Sequence, residues 1–422
     1  MTLQLHLGKR TNRSPTIRVP QQPRISKKVF VKSVPRKVLI PALSAAFSVA
    51  VVMSTAAGAG AAPINFPTTG SAFLDTGSLS GSTDPALAER INAAFAAHGI
   101  PGAQVVYTDA KGRQEFNYGV ASNETGNAVT SDTVFEAASL TKVVASYVVL
   151  QLVDEGVIDL DLPLSEYFEY PRIAADPAAH KITARMALTH TTGLPNWATG
   201  PSSAEFETTP VSTTFEPGTQ WSYSGEGFYY LQKTVESLTG KPFADLASER
   251  VFQRFGMTSS DLLTRPAFDA VTAVGHTADG TAKAVRNFPR ANVAYTLRTT
   301  AGDYSKFLRG ALLAGEGLEP ATRDMMFTAA GSADHGGSNK DAIAHIKWGL
   351  GIGLQENELG KAIWHWGDNG AFKAFFIAYP ETGRSVVIMT NSESGLETVN
   401  DVVHEFFGPM TMYATDWIKE AE

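Results

Sequence analysis

The chain has no cysteine, which excludes disulfides, thiolate metal sites and a cysteine nucleophile. Its nine histidines form no His-Glu-x-x-His pair, the helical spacing with which a zinc hydrolase holds its metal. Gly-x-Ser-x-Gly is also missing, so the strained elbow that presents an α/β-hydrolase serine is not available. There is no internal repeat. The first 62 residues lack Asp and Glu altogether while carrying ten Lys and Arg, and residues 38–62 are uncharged. Ending in Ala59-Gly60-Ala61-Ala62, this stretch reads as a secretory signal peptide with a long basic n-region and an Ala-x-Ala cleavage site. Uncleaved, it is an N-terminal membrane segment, because a bilayer needs only about 20 apolar residues. The expected location is therefore periplasmic or extracellular.

What remains after residue 62 has 25 Lys and Arg against 42 Asp and Glu, a formal charge of −17. Such a surface repels nucleic acid and anionic membranes, leaving a small molecule as the expected partner. Of the 422 residues, 43% are hydrophobic, ample for a sizeable core. Residues 63–83, rich in Gly, Ser, Thr and Pro, read as a flexible linker. Asp84-Pro85 opens a helix whose apolar positions include Leu87, Ile91 and Phe95. Asp109-Ala110-Lys111-Gly112 between Val105-Val106-Tyr107 and Phe116-Asn117-Tyr118 is a hairpin signal. Helical segments are expected to dominate from Ser139 to about Ala330. Strands return at 348–354, 362–366, 371–379 and 385–390, followed by a helix over 397–407 and a C-terminal tail over 411–422. Strands at both ends with helices between them predict an α+β fold, a sheet domain over 84–410 interrupted by a helical subdomain at about 140–330.

The chemistry starts at Ser139-Leu140-Thr141-Lys142. Thr133 to Ala138 read as a strand and turn, and Val143 to Glu155 as a buried helix without Pro or Gly. Residues at i and i+3 on a helix share a face, with roughly 5–6 Å between Cβ atoms. A lysine placed there takes a serine proton only when neutral. With a free pKa of about 10.4, it must be desolvated or set beside other positive charge.

Three further segments complete a pattern: Leu188-Thr189-His190-Thr191-Thr192-Gly193-Leu194-Pro195, then Pro217 to Gly225 containing Trp221-Ser222-Tyr223-Ser224-Gly225, then His365-Trp366-Gly367-Asp368-Asn369-Gly370. In this order and spacing the set resembles the serine β-lactamase and penicillin-binding superfamily, closest to its class C-like branch of esterases, D-aminopeptidases and D,D-carboxypeptidases. The resemblance covers roughly residues 85 to 410 and implies an antiparallel sheet flanked by helices, with the site at the seam. It places the nucleophile on Ser139, the base on Lys142 and a proton-handling tyrosine on Tyr223. Substrate binding falls to the third motif, His365, Trp366 and Gly367, and the oxyanion hole to the backbone amides of Ser139 and Asp368. No metal or organic cofactor is implied.

Two departures matter. Tyr223-Ser224-Gly225 has glycine where lactamases and peptidases usually have an asparagine that contacts the acyl amide. His365 replaces a lysine that helps hold the substrate carboxylate. Both tilt the expectation toward an exported ester hydrolase working through an acyl-enzyme, ahead of a D,D-carboxypeptidase, D-aminopeptidase or weak β-lactamase. A catalytically silent penicillin-binding-like envelope protein is the alternative of another class.

Other features have plainer explanations. The glycines of Gly349-Leu350-Gly351-Ile352-Gly353 alternate along a strand-like run with no helix after them, which indicates tight backbone packing and not a phosphate loop. Asp159-Leu160-Asp161 has no histidine support for a metal. His190 is expected to brace a loop, Gly367 to let an edge strand approach the substrate, and Trp348 and Trp366 to form pocket walls or core.

Overall fold

The structure is a computed structural model and describes residues 84–421. The readings for 1–62 and for the linker over 63–83 fall outside the described residues. Among the described residues no helix is long and apolar enough to cross a membrane.

Helix α1 (Pro85–Ala97) starts as expected, with Asp84 capping the Ala86 N–H and proline in the first turn. The hairpin follows: β1 (Gly102–Asp109) and β2 (Gly112–Gly119) pair antiparallel around the two residues Ala110 and Lys111, with Gly112 at φ +132°. The chain then leaves the sheet through β3 (Phe135–Ala138) and α2 (Thr141–Asp154). Every residue of α2 from Thr141 to Leu152 is buried, which is why its sequence shows no polar face. Helices α3 (Ala184–Leu188), α4 (Gly225–Thr239), α5 (Phe243–Ala247), α6 (Ala301–Phe307) and α7 (Pro320–Met326) follow, with β4 (Leu297–Thr299) between α5 and α6. After α8 (Lys340–His345) come β5 (Ile346–Trp348), β6 (Gly353–Asn357), β7 (Gly360–Asp368), β8 (Lys373–Tyr379) and β9 (Arg384–Thr390), then α9 (Val399–Phe407) and α10 (Tyr413–Ala421).

The main sheet has seven strands in the order β2-β1-β9-β8-β7-β6-β5, every neighbouring pair antiparallel. β1 pairs with β9 across almost 300 residues of chain, so the helical region is an insertion into one sheet. Side chains alternate between the faces. Val105, Ile377, Val386 and Ile388 pack with α1, α9 and α10. Val106, Phe376, Val387 and Met389 join the larger core around α2 and α6. With both faces covered, β8 and β9 are apolar along almost their whole length. The α+β expectation of an antiparallel sheet flanked by helices holds.

Several boundaries differ. The run 348–354 is not one strand: Gly349 to Ile352 form the turn between β5 and β6, with Gly351 at φ +77° against the Ser146 side chain. β4 pairs with β3 inside the region read as helical, and long irregular stretches lie there between α3 and α4 and between α5 and β4. The segment read as a tail is α10, whose Trp417 is fully buried and donates its indole N–H to Ala333 O at 2.9 Å. Trp417 packs edge-on against Trp221, Trp364 and Trp366, so the C-terminus closes the core of this sheet face.

Candidate active site

Strand β3 delivers Ser139 through a turn in which Ala138 takes a left-handed φ of +49°. A Cβ-bearing residue adopts that conformation only when its surroundings hold it. The holding group is Thr141, whose hydroxyl donates to Ala138 O and accepts the Leu297 N–H, tying the turn to β4. Ser139 then precedes α2, and Lys142 occupies its first turn. Lys142 Nζ lies 3.0 Å from Ser139 Oγ and donates to Ala294 O at 2.8 Å. The amine is buried, and among the described residues no carboxylate pairs with it. Desolvation holds it well below the usual lysine range. It also sits 4.6 Å from the centroid of the Tyr223 ring and 5.7 Å from that of Phe228. Desolvation is thus the route to a neutral amine here, one of the two the spacing alone left open.

Tyr223 stands just before α4, whose N-cap is Ser224. Its ring packs against those of His190 (4.2 Å between centroids) and Trp366 (4.9 Å). Ser139, Lys142 and Tyr223 line one cavity of about 760 Å³ with Trp197, Trp221, Tyr295 and Arg286. The structure thus brings together the alcohol, the amine and the phenol singled out in the sequence.

The third motif divides between two faces of β7. Trp366 and Asp368 line the cavity. His365, expected among the substrate-binding groups, is not on the cavity wall: it is fully buried and its Nδ1–H donates to Trp366 O at 2.7 Å. Burial, with a further push from Lys142, brings its pKa down to about 3, so the imidazole is neutral across the physiological range. Gly367 has a different reason for being glycine from the one expected. A Cβ there would lie 2.4 Å from Ala137 O, so the missing side chain lets β7 cross against β3. That contact sets the end of β7 beside the turn carrying Ser139, and Ser139 and Asp368 both reach the cavity. The Asp368 carboxylate is turned aside, paired with Lys373 at 2.5 Å and accepting the Gly370 N–H.

Gly225 has a steric cause too: a Cβ at this position would lie 2.4 Å from the Trp197 indole. The residue before that indole, Asn196, lines the cavity and accepts the Gly225 N–H on Oδ1 at 2.9 Å. Neither Asn196 nor Trp197 was singled out in the sequence. Nor was Arg286, which binds the buried Glu136 carboxylate through two nitrogens and donates to Asn369 O, while Asn369 Nδ2 donates back to Glu136. A carboxylate three residues before Ser139 was the visible signal, but its partner is 150 positions away.

With this geometry in place, the comparisons with known proteins are specific. The Beta-lactamase family model matches residues 87–403. Penicillin-binding protein 4 of Amycolatopsis lactamdurans is 27% identical over 341 residues, 76% of this chain and 89% of that protein. Lovastatin esterase of Penicillium rubens is 30% identical over 298 residues, 58% of this chain and 73% of its own. The crystal structure of D-alanine carboxypeptidase AmpC from Burkholderia cenocepacia superposes with a TM-score of 0.63 at 19% identity, covering 76% of this chain and 98% of the other, a likeness in fold. The family match spans most of the sequence and includes every motif residue discussed above, so the chain belongs to the beta-lactamase family and is a serine hydrolase of that family.

Proposed function

We propose that the protein is an exported ester hydrolase acting through an acyl-enzyme on Ser139. The observation that carries the reading is the buried Lys142 amine 3.0 Å from Ser139 Oγ, its pKa pushed well below the usual lysine range by desolvation. Neutral Nζ takes the Oγ proton as Oγ bonds to the substrate carbonyl carbon. The carbonyl oxygen becomes an oxyanion facing the amides of Ser139 and Asp368, each such donor being worth about 3 kcal/mol in comparable sites. When the carbon–oxygen bond to the alcohol breaks, the leaving alkoxide regains a proton from Lys142, relayed by Tyr223. Water then attacks the acyl-enzyme with the same groups as base and acid, releasing the carboxylic acid and restoring the Ser139 hydroxyl.

Three features support an ester over a β-lactam or a peptide terminus. The position of the usual asparagine is a glycine crowded by Trp197. The cations near the cavity, Arg286 and Lys373, are each matched by a carboxylate, Glu136 and Asp368, so among the described residues neither offers an unbalanced positive charge to a substrate carboxylate. An alkoxide also leaves with less help from an acid than an amine does. The lovastatin esterase relative fits this direction. The guanidinium of Arg286 at the cavity favours the second reading, a D,D-peptidase, should Glu136 release it. The basic, acid-free first 62 residues support export.

The deciding experiment compares hydrolysis of a short nitrophenyl ester, nitrocefin and a D-Ala-D-Ala peptide by wild type and Ser139→Ala. The expected order is ester first, with all activity lost in the variant. Faster nitrocefin or peptide turnover reverses the ranking. A fluorophosphonate that fails to label Ser139 returns the protein to the silent-scaffold class.

A further inference from the structure

His190 is a buried titratable group that the acyl-transfer steps above do not use. Its backbone φ is +56°, and Ala138 is the only other non-glycine residue among the described ones with positive φ. Non-glycine residues occupy that region only a few per cent of the time, and although histidine enters it more readily than most, its surroundings help to hold it there. What it touches explains the constraint. His190 O accepts the Ser222 N–H at 2.8 Å, and His190 Nδ1 accepts the Ser224 N–H at 3.0 Å. The two amides are those on either side of Tyr223. The imidazole also lies on the phenol ring itself, 4.2 Å between centroids at 32°, and is backed by Phe228 and Trp348 at 5.3 Å each. Because Nδ1 accepts, the proton of the neutral ring is on Nε2.

We propose that His190 is the positioning residue for Tyr223: one side chain and its own carbonyl grip the backbone before and after the phenol, while the ring face fixes its tilt over Lys142. The inference rests on the Ser139–Lys142–Tyr223 reading. It accounts for three observations together. The left-handed backbone turns carbonyl and side chain toward the same strand of chain. The ring stays neutral, since an imidazolium would lose the Nδ1 lone pair that Ser224 needs. And Ser224, its N–H held by His190 Nδ1 and its hydroxyl donating to Pro195 O at 2.9 Å, is set to cap α4 by accepting the Gly227 N–H at 2.9 Å.

The experiment uses the full chain, the short nitrophenyl ester and four variants. His190→Leu keeps bulk but removes the acceptor, and is expected to lower kcat by about 10²-fold with KM little changed, since an ångström of misplacement costs that much in comparable sites. His190→Asn puts Oδ1 close to the position of Nδ1 and tolerates positive φ, so it is expected to retain most of kcat. In a Tyr223→Phe background His190→Leu should add almost nothing, because the hydroxyl it positions is already gone. Full additivity of the two losses overturns the proposal, as it means His190 merely supports the loop. If thermal melting shows that His190→Leu does not fold, His190→Asn decides: loss of kcat at an unchanged melting temperature also overturns it. Should Tyr223→Phe itself leave kcat unchanged, the catalytic reading fails instead, and the two failures are told apart by that control.

Discussion

Lys142 Nζ lies 3.0 Å from Ser139 Oγ and donates to the Ala294 carbonyl, 2.8 Å away. A backbone carbonyl stabilises an ammonium far less than a carboxylate does, so burial dominates and the amine loses its proton readily. The same burial that lowers the proton affinity of Lys142 makes it a burden on the fold.

The consequence for stability has a definite sign. The folded pKa is depressed below the unfolded value, so between the two the unfolded chain binds a proton that the folded chain lacks. Stability therefore rises with pH through that window, and the penalty is complete below the folded pKa. Each unit of separation corresponds to about 1.4 kcal/mol. Lys142→Met should abolish acylation, yet melt at higher temperature than wild type at pH 7.5, with the gap narrowing toward pH 10. His190 and His365, both depressed by burial, titrate in the unfolded chain near 6.5 and so contribute only on the acid side of this comparison. A Lys142→Met protein that melts lower than wild type at pH 7.5 contradicts the assignment.

In the proposed mechanism activity depends on pH through the same group. The base form of Lys142 accumulates as pH rises through its folded pKa, so kcat/KM for a neutral ester should show a single acid limb ending well below the ordinary lysine range. A limb that persists up to pH 10 would place a charged lysine in the free enzyme.

The steric pairing of Gly225 with Trp197 predicts what happens when the family's usual asparagine is restored. Gly225→Asn alone should destabilise by about 1–3 kcal/mol through overpacking against the indole, measured by urea unfolding. Adding Trp197→Ala should recover much of that loss, a coupling expected of residues in contact. Independent, additive effects would mean that the loop carrying Trp197 yields without cost.

How far these relationships could be seen beforehand follows from their range along the chain. Ser139 and Lys142 are one helical turn apart, so spacing alone joins them. The β1–β2 hairpin is announced by its turn residues, and the buried α2 by its unbroken apolar run. Trp197 with Gly225 and Arg286 with Glu136 are tertiary pairings that no local period encodes. The division of β7 was hidden for another reason: it is buried on both faces from Ala362 to Gly367, so no polar alternation marks which of His365 and Trp366 meets the cavity. α10 escaped because its segment is short and interleaves charged with apolar residues, with its packing concentrated in Ala414, Trp417 and Ile418.

The loop that shapes the cavity is secured by a buried ion pair. Arg172 forms a two-nitrogen contact with Glu226 at 2.8 Å for each bond, both side chains being almost completely enclosed. Arg172 also donates to Thr209 O, and Glu226 accepts the Ala198 N–H, so the pair clamps residues 198 and 209 against the first turn of α4, two residues from Tyr223. Removing one partner leaves the other charged and enclosed, which typically costs about 3–5 kcal/mol. Glu226→Gln should show a loss of that order in urea unfolding, and kcat/KM for the ester should fall as the loop with Asn196 and Trp197 loosens. Replacing both residues by apolar ones of similar volume, Arg172→Met with Glu226→Leu, should cost less than either single change, because no unpaired charge remains. Recovery of stability without recovery of activity would then separate the clamp's hold on the loop from its contribution to the fold.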